Sequence, residues 1–504
     1  MTISKKLSFV LLSTLIFTFL FYDHLLGLNV LIYEIIILSW LTLTKQLILR
    51  NLNHLMVSMC VLISLLMTVL HHSTLSYLIN FLSFFILVGL VNASEIRSII
   101  NGFAHSVVTF FMAHGRLFGA GDDVENPKMT KGRMRKLGIF IIPAGIVFTF
   151  ILIYSWSNPK FNAIFEGMTD FILDGIVSFF ASISISLVIV LTLGFSLSVF
   201  LIYRVRKSSL IEGDLEESDD VKRIRMKNKR FTNNLGLKYE LKAGVFLFIS
   251  LNLLLLLLNI LDINHVWFNF EWQGQYLSHY VHQGTYLLVI AIMISIVLVL
   301  YFFRKNLHFY SKNSFLKALV YVWLAQNMIL SISVGMRNWY YIQYYALAYK
   351  RIAIIFFLFL TIYGLFLVYQ KVRYGKSGFF LIRKTAMAWL LVLTLSTCFN
   401  WDRIIARYNF AHANKSFVHL NFMMNLSDSS LPYLDVPEEE LKGMNAQQKI
   451  MFSFSRDFRL YATPDDYTYR IAIRKQIFKE KMEKKGWLDW NYADANAYQE
   501  LFVK

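Results

Sequence analysis

Lys350 and Arg351 stand together at the head of an unbroken apolar run, IAIIFFLFL. A cation at a helix N-terminus opposes the helix dipole by about 0.3–1 kcal/mol. The pair therefore calls for an anion. It can be a carboxylate of the chain, a phosphate headgroup or an anionic ligand, and arginine suits each because its planar fork binds carboxylate and phosphate bidentately. Arg403 and Arg407 lie one helical turn apart in NWDRIIARYNF, with Asp402 and Tyr408 beside them. Arg337, Tyr344 and Tyr345 join them if the ends of the three neighbouring apolar runs meet. Asp402 and Asp262 are the carboxylates at hand. Internal ion pairing is the first expectation, because desolvated charges need partners in any fold. A bound anion is the second.

Other polar residues are weaker candidates. Glu34 interrupts the apolar run LIYEIIILSW; it is either a proton or cation relay or a carboxyl bonded to a neighbouring helix. The stretch LDINHVWFNFEWQGQYLSHYVHQGT carries Asp262, His265, Glu271, His279 and His282. His279 and His282 share a helix face, and imidazoles with a carboxylate can hold zinc. The spacing matches no metal signature, so packing and capping are expected, with no metal and no cofactor. Cys60 and Cys398 both fall in apolar runs and read as packing residues, not as a disulfide framework. The chain has no P-loop, nucleophile elbow, H-E-x-x-H or dinucleotide fingerprint, which weighs against an enzyme.

The elements that must position these residues are membrane helices. Of 504 residues, 56% are hydrophobic and 16% charged, against about 25% charged in a soluble globular chain. Eleven apolar runs are long enough, or nearly so, to cross ~30 Å of hydrocarbon. They cover 7–22, 28–44, 55–70, 75–92, 137–156, 179–203, 243–261, 284–303, 315–335, 352–369 and 380–398. With the N-terminus inside, the outside loops hold only Lys160, Arg337, Lys350 and Arg351, and the other basic residues before the tail gather at inside ends. That skew sets the orientation. It also accounts for much of the net charge of +18, so nucleic acid is not needed as a partner. Anionic lipid headgroups at the cytoplasmic face are.

The expected fold is thus an all-α membrane bundle over 1–398, followed by a small helical extracytoplasmic tail over 399–504 that leaves the C-terminus outside. An amphipathic helix near 95–118 should lie on the membrane surface. The charge-blocked stretch 204–242, EGDLEESDDVKRIRMKNKR at its centre, reads as a flexible cytoplasmic linker. The tail is near the lower size for an independent core, so it should lean on the bundle or on an envelope protein partner.

Five stretches, YSWSNPKF, LNILDINHVW, YLSHYVHQGTYLLVIAI, YYALAYKRIAIIFF and NWDRIIARYN, together resemble the bacterial membrane proteins of domain of unknown function 4153/4173. The resemblance covers roughly residues 20 to 435. It implies a bacterial cytoplasmic membrane protein and no activity, and it places Asp262, His282, Tyr344, Arg351, Asp402, Arg403 and Tyr408 in the family's motifs. Three functions follow in order of expectation. The first is a non-enzymatic sensor or envelope-assembly component. The second is a transporter, for which Glu34 is the strongest mid-span charge. The third is a membrane enzyme acting on lipid-linked or anionic substrates at the outer basic cluster.

Overall fold

The computed structural model describes residues 3–47, 52–117, 184–203, 209–223, 232–270, 275–303, 306–452 and 462–503, with a few isolated positions between 147 and 161. The side chains of 3–5, 116–117, 209, 232–235, 275–286 and 306 are excepted. Among the described residues every regular element is a helix; an isolated bridge joins Asp220 and Lys376. The helices are α1 (Ile3–Phe21), α2 (Leu28–Leu43), α3 (Leu52–His71), α4 (Thr74–Asn92), α5 (Ile99–Leu117), α6 (Ile185–Ile202), α7 (Ser209–Glu216) and α8 (Thr232–Asp262). There follow α9 (Gln275–Phe302), α10 (Ser314–Tyr345), α11 (Tyr349–Tyr374), α12 (Gly378–Thr397), α13 (Trp401–Ala411), α14 (Glu438–Met451), α15 (Pro464–Glu483) and α16 (Tyr492–Phe502).

Among the described residues seven helices are long and apolar enough to cross a membrane: α3, α4, α6, α8 with the π-helical turn Ile263–Phe268 that continues it, α10, α11 and α12. The apolar segments Lys6–Phe21, Leu28–Leu43 and Leu287–Phe302 are shorter. The expected run at 137–156 lies outside the described residues. The other expected runs coincide with these ten helical segments.

The helices form two groups. In one, α1 packs on α2 and α6, α3 on α2 and α4, and α5 on α4 and α6. In the other, α10 is the centre and carries α8, α9 and α11. Helix α12 joins them, touching α11 on one side and α3, α4 and α5 on the other. In lipid, tails are as apolar as leucine, so close approach and interhelical hydrogen bonds drive association. The α4–α5 crossing shows this: a Cβ on Gly89 would stand 2.1 Å from the carbonyl oxygen of Gly102.

Loops gather at two opposite ends. At one end the Leu28 amide donates to the Trp490 carbonyl (3.1 Å), Phe417 to Tyr344 (2.8 Å), and His71 Nε2 meets the Cys398 carbonyl (3.0 Å). At the other, Arg383 pairs with Asp219 (2.5 Å) and Lys376 with Asp220 (2.7 Å). The Val221 amide there donates to Gly375 (2.8 Å). Gly375 has φ +68° and lies against the His308 ring, so a side chain there would be strained. Helix α5 stays at this second end. It starts beside Asp214, and its Ala113 packs on Val10 of α1, on Val199 in the last turn of α6 and on Tyr203 just past it.

The acidic half of the expected linker is not loose. Asp214 is fully buried and accepts the amides of Arg97 (2.8 Å) and Ser98 (3.1 Å), at the N-terminus of α5 where an anion is favoured. The residues after α12 gather round a core of Ile405, Leu431, Leu434, Leu441, Tyr467, Ile471 and Phe478, to which α11 adds Ile352.

Candidate functional site

Helix α10 ends in a strained turn. Ala346 sits at φ 64°, where a non-glycine residue is rare. Arg351, on the first turn of α11, reaches back over that turn. Its guanidinium donates to the carbonyls of Tyr345 (2.6 Å) and Ala346 and lies over the Tyr341 ring at 4.2 Å. Asn338 in turn donates to the Arg351 carbonyl (3.0 Å). Arg351 thus sits at the N-terminus of its own helix and at the C-terminus of the preceding one. The second position favours a cation as much as the first disfavours it. The expected carboxylate is not there: among the described residues no acidic side chain pairs with Arg351, because backbone carbonyls and a ring face take its charge.

The two carboxylates go elsewhere. Asp262, at the end of α8, pairs with Arg337 of α10 (2.5 Å), and Ser333 donates to its other oxygen (2.6 Å). Arg337 and Asp262 are both about 4% exposed, so neither charge has water to fall back on. Asp402 accepts from the Tyr349 hydroxyl and from the Ser427 amide (3.0 Å). Arg403 grips both oxygens of Glu500 on α16 (2.7 and 2.6 Å), with the Tyr433 ring 5.1 Å away. Burial works against the Arg403 charge, but Glu500 and Tyr433 outweigh it and hold the charged form.

The rest of the expected cluster is looser. Lys350 and Arg407 are exposed. Tyr408 stacks on His412 at 4.1 Å. Tyr344 lies 6.3 Å from Phe270. Tyr345 packs 4.9 Å from Tyr341. His265 is exposed in the π-helical turn, while the side chains of His279 and His282, and Glu271 entirely, lie outside the described residues. Among the described residues no group of His, Cys, Asp or Glu could hold a metal ion.

Glu34 belongs to a separate polar layer in the other helix group. Asn80 of α4 donates to Glu34 Oε1 (2.6 Å) and accepts from Ser64 of α3 (3.1 Å), which also meets Ser83 (3.2 Å). The second carboxyl oxygen of Glu34 is buried with no hydrogen-bond partner among the described residues.

The chain matches the family model of a domain of unknown function (DUF4153) over residues 7–436. It belongs to that family. No curated protein and no solved structure matches it. The DUF4153 region covers Arg337, Arg351, Asp262, Asp402 and Arg403, and stops before α14. Glu500, which Arg403 holds, therefore lies beyond it.

Within the DUF4153 region, sequence reasoning missed a polar ladder along the α8–α10 contact. Asn252 donates to the Leu319 carbonyl (3.1 Å) and Asn259 to the Gln326 carbonyl (3.2 Å), while Gln326 donates to Asn252 (2.8 Å). Donors and acceptors both advance by seven residues, so the two helices run parallel with a heptad-like register. The seven-residue spacing of Asn252 and Asn259 was the available signal.

Proposed function

We propose that this is a non-enzymatic multi-span protein of a bacterial cytoplasmic membrane, a sensor or envelope-assembly component that works through its tail. One observation carries the reading: the tail holds both helix groups at the same end. It meets the α1–α2 turn through Leu28 and Trp490, α3 through the packing of α16, and the α10–α11 turn through Tyr344 and Phe417. Leu347 is fixed to Asn409 in both directions (2.7 and 3.0 Å). A tail that touches both groups is placed to feel or set their relative position.

The same geometry supports eleven crossings with the N-terminus inside. Helix α5 starts at the basic end, and α6 finishes there. The run at 137–156, outside the described residues, is read from its sequence as the one crossing between them. The end bearing Arg97, Lys376 and Arg383 is then cytoplasmic by the loop-charge rule.

The test uses Gly27, where any Cβ would lie 2.6 Å from the Asp489 backbone. Gly27→Leu should unseat the tail without touching a span. In a background lacking Cys60 and Cys398, an impermeant thiol reagent on intact cells should label Glu439→Cys and not Glu216→Cys. Cells carrying Gly27→Leu should show the same envelope sensitivity to detergents as a deletion strain. If the deletion strain has an intact envelope and fails instead to move a solute, the second reading, transport, takes its place. The unpartnered oxygen of Glu34 favours that reading, and Glu34→Gln would then abolish the movement.

A further inference from the structure

We propose that the membrane face formed by α1, α2 and α6 holds one acyl chain of an anionic phospholipid, with its headgroup at Lys6. This inference stands apart from the role of the tail. A cavity of about 150 Å³ opens on that face, between Phe9, Leu12, Ile16, Ile36, Trp40 and Ile202. Its floor is buried: Tyr33, Ile37 and Leu201 are 5–6% exposed. Its rim is open, with Phe9, Leu12 and Ile36 at 41–53%. It is therefore a furrow in an outward apolar surface, not an internal void. From Tyr33 to Trp40 it follows seven residues of α2, about 10 Å at 1.5 Å per residue. That is about two-thirds of one leaflet of a ~30 Å hydrocarbon layer.

The chemistry of the lining selects the occupant. Among the described residues no charged side chain lines the furrow, and its polar side-chain groups are the hydroxyls of Ser13 and Tyr33 and the indole of Trp40. Ser198 already donates to Ser13 (2.9 Å). A charged solute would lose its hydration there with nothing in return, whereas an acyl chain loses none. Among the described residues the cations stand at one mouth. Lys6 is one turn before Phe9 and holds its ammonium 5.5 Å over the ring of Tyr203, next to the furrow residue Ile202. Lys45, exposed after the end of α2, adds a second cation five residues past Trp40. Its φ of 52° is a conformation that glycine adopts more readily. A basic mouth above an apolar furrow matches the headgroup and tail of an acidic lipid.

Native mass spectrometry of the full chain decides it, after reconstitution with equal amounts of phosphatidylglycerol and phosphatidylethanolamine. The wild type should keep one phosphatidylglycerol in preference. Lys6→Glu with Lys45→Glu should remove that preference while leaving a lipid bound. Leu12→Trp, at an exposed rim position and so neutral for folding, should cut retention of either lipid about ten-fold. Ile36→Phe, a milder filling, should cut it less. Equal retention by wild type and Leu12→Trp would overturn the furrow as the site. An unchanged headgroup preference in the double lysine variant would overturn the assignment of the mouth.

Discussion

At the scale of single residues, the lesson is that a charge in a bundle is neutralised by what is nearest in three dimensions, not by the nearest carboxylate in sequence. Arg351 looked misplaced at an outside helix start, and Asp262 and Asp402 looked like its answers. The structure gives Arg351 the carbonyls of the α10 terminus and gives Asp262 to Arg337. Different outcomes follow for the two arginines. Removing one side of the buried Arg337–Asp262 pair strands a charge, which costs about 3–5 kcal/mol. Arg337→Ala and Asp262→Ala should therefore each lower the thermal midpoint of the detergent-solubilised protein, and the double variant should be no worse than either single. Additive losses would show that the two do not act as a pair. Arg351→Lys should be destabilising although the charge is kept, because an ammonium lacks the flat face that lies over the Tyr341 ring. Asp402→Ala should add to that loss independently. Coupling between Arg351 and Asp402 would restore the ion pair that the sequence suggested.

At the scale of elements, the helices were legible because a span must satisfy its own backbone and be apolar for its full length. Their pairing was not. Asn252, Asn259 and Gln326 read as isolated polar interruptions, since hydropathy averages over a window and ignores which face a residue is on. Their roles depend on α8 and α10 being parallel neighbours, a long-range fact. The charge-blocked stretch after α6 misled for a related reason: a charge run reads as solvated unless a helix N-terminus is near to receive it, as that of α5 receives Asp214. The ladder makes a measurable claim. Interhelical hydrogen bonds in bilayers contribute about 0.6 kcal/mol on average and up to about 1.7. Asn259→Leu should thus cost little in stability and leave α8 in place. Asn252→Leu should cost more, because Asn252 both donates to Leu319 and accepts from the Gln326 amide, which then loses that acceptor. Equal costs in a steric-trapping or thermal assay would mean that the ladder does not set the register.

At the scale of the whole molecule, the tail's seat on the α3–α4 turn carries a pH dependence whose sign can be worked out. His72 in that turn is kept neutral chiefly by burial, which pushes its pKa below the usual histidine value. Asp494 opposes that shift, while Lys485 and Lys481 reinforce it and Asp428 opposes it weakly. Its Nδ1 shares a hydrogen bond with the Tyr77 hydroxyl (2.8 Å). Asp494 is itself pushed up by burial, but Lys485 at 2.8 Å and Asn491 outweigh that and hold it below the usual carboxylate range. A histidine with a lowered pKa supports the docked state fully above about 6.5 and loses that support as pH falls. A carboxyl with a lowered pKa supports it above about 3.9 and loses the support only as pH falls through its own lower value. Between pH 7.5 and 5 His72 loses its support while Asp494 keeps its own. Spin labels on exposed Asp23→Cys and Lys484→Cys, in a background without Cys60 and Cys398, should report a single narrow distance at pH 7.5. That distance should broaden toward pH 5 as the tail loosens. His72→Gln keeps a hydrogen-bonding side chain without a titrating one, and should hold the distance narrow down to pH 5. Broadening that persists in His72→Gln would show that His72 does not govern the seat of the tail.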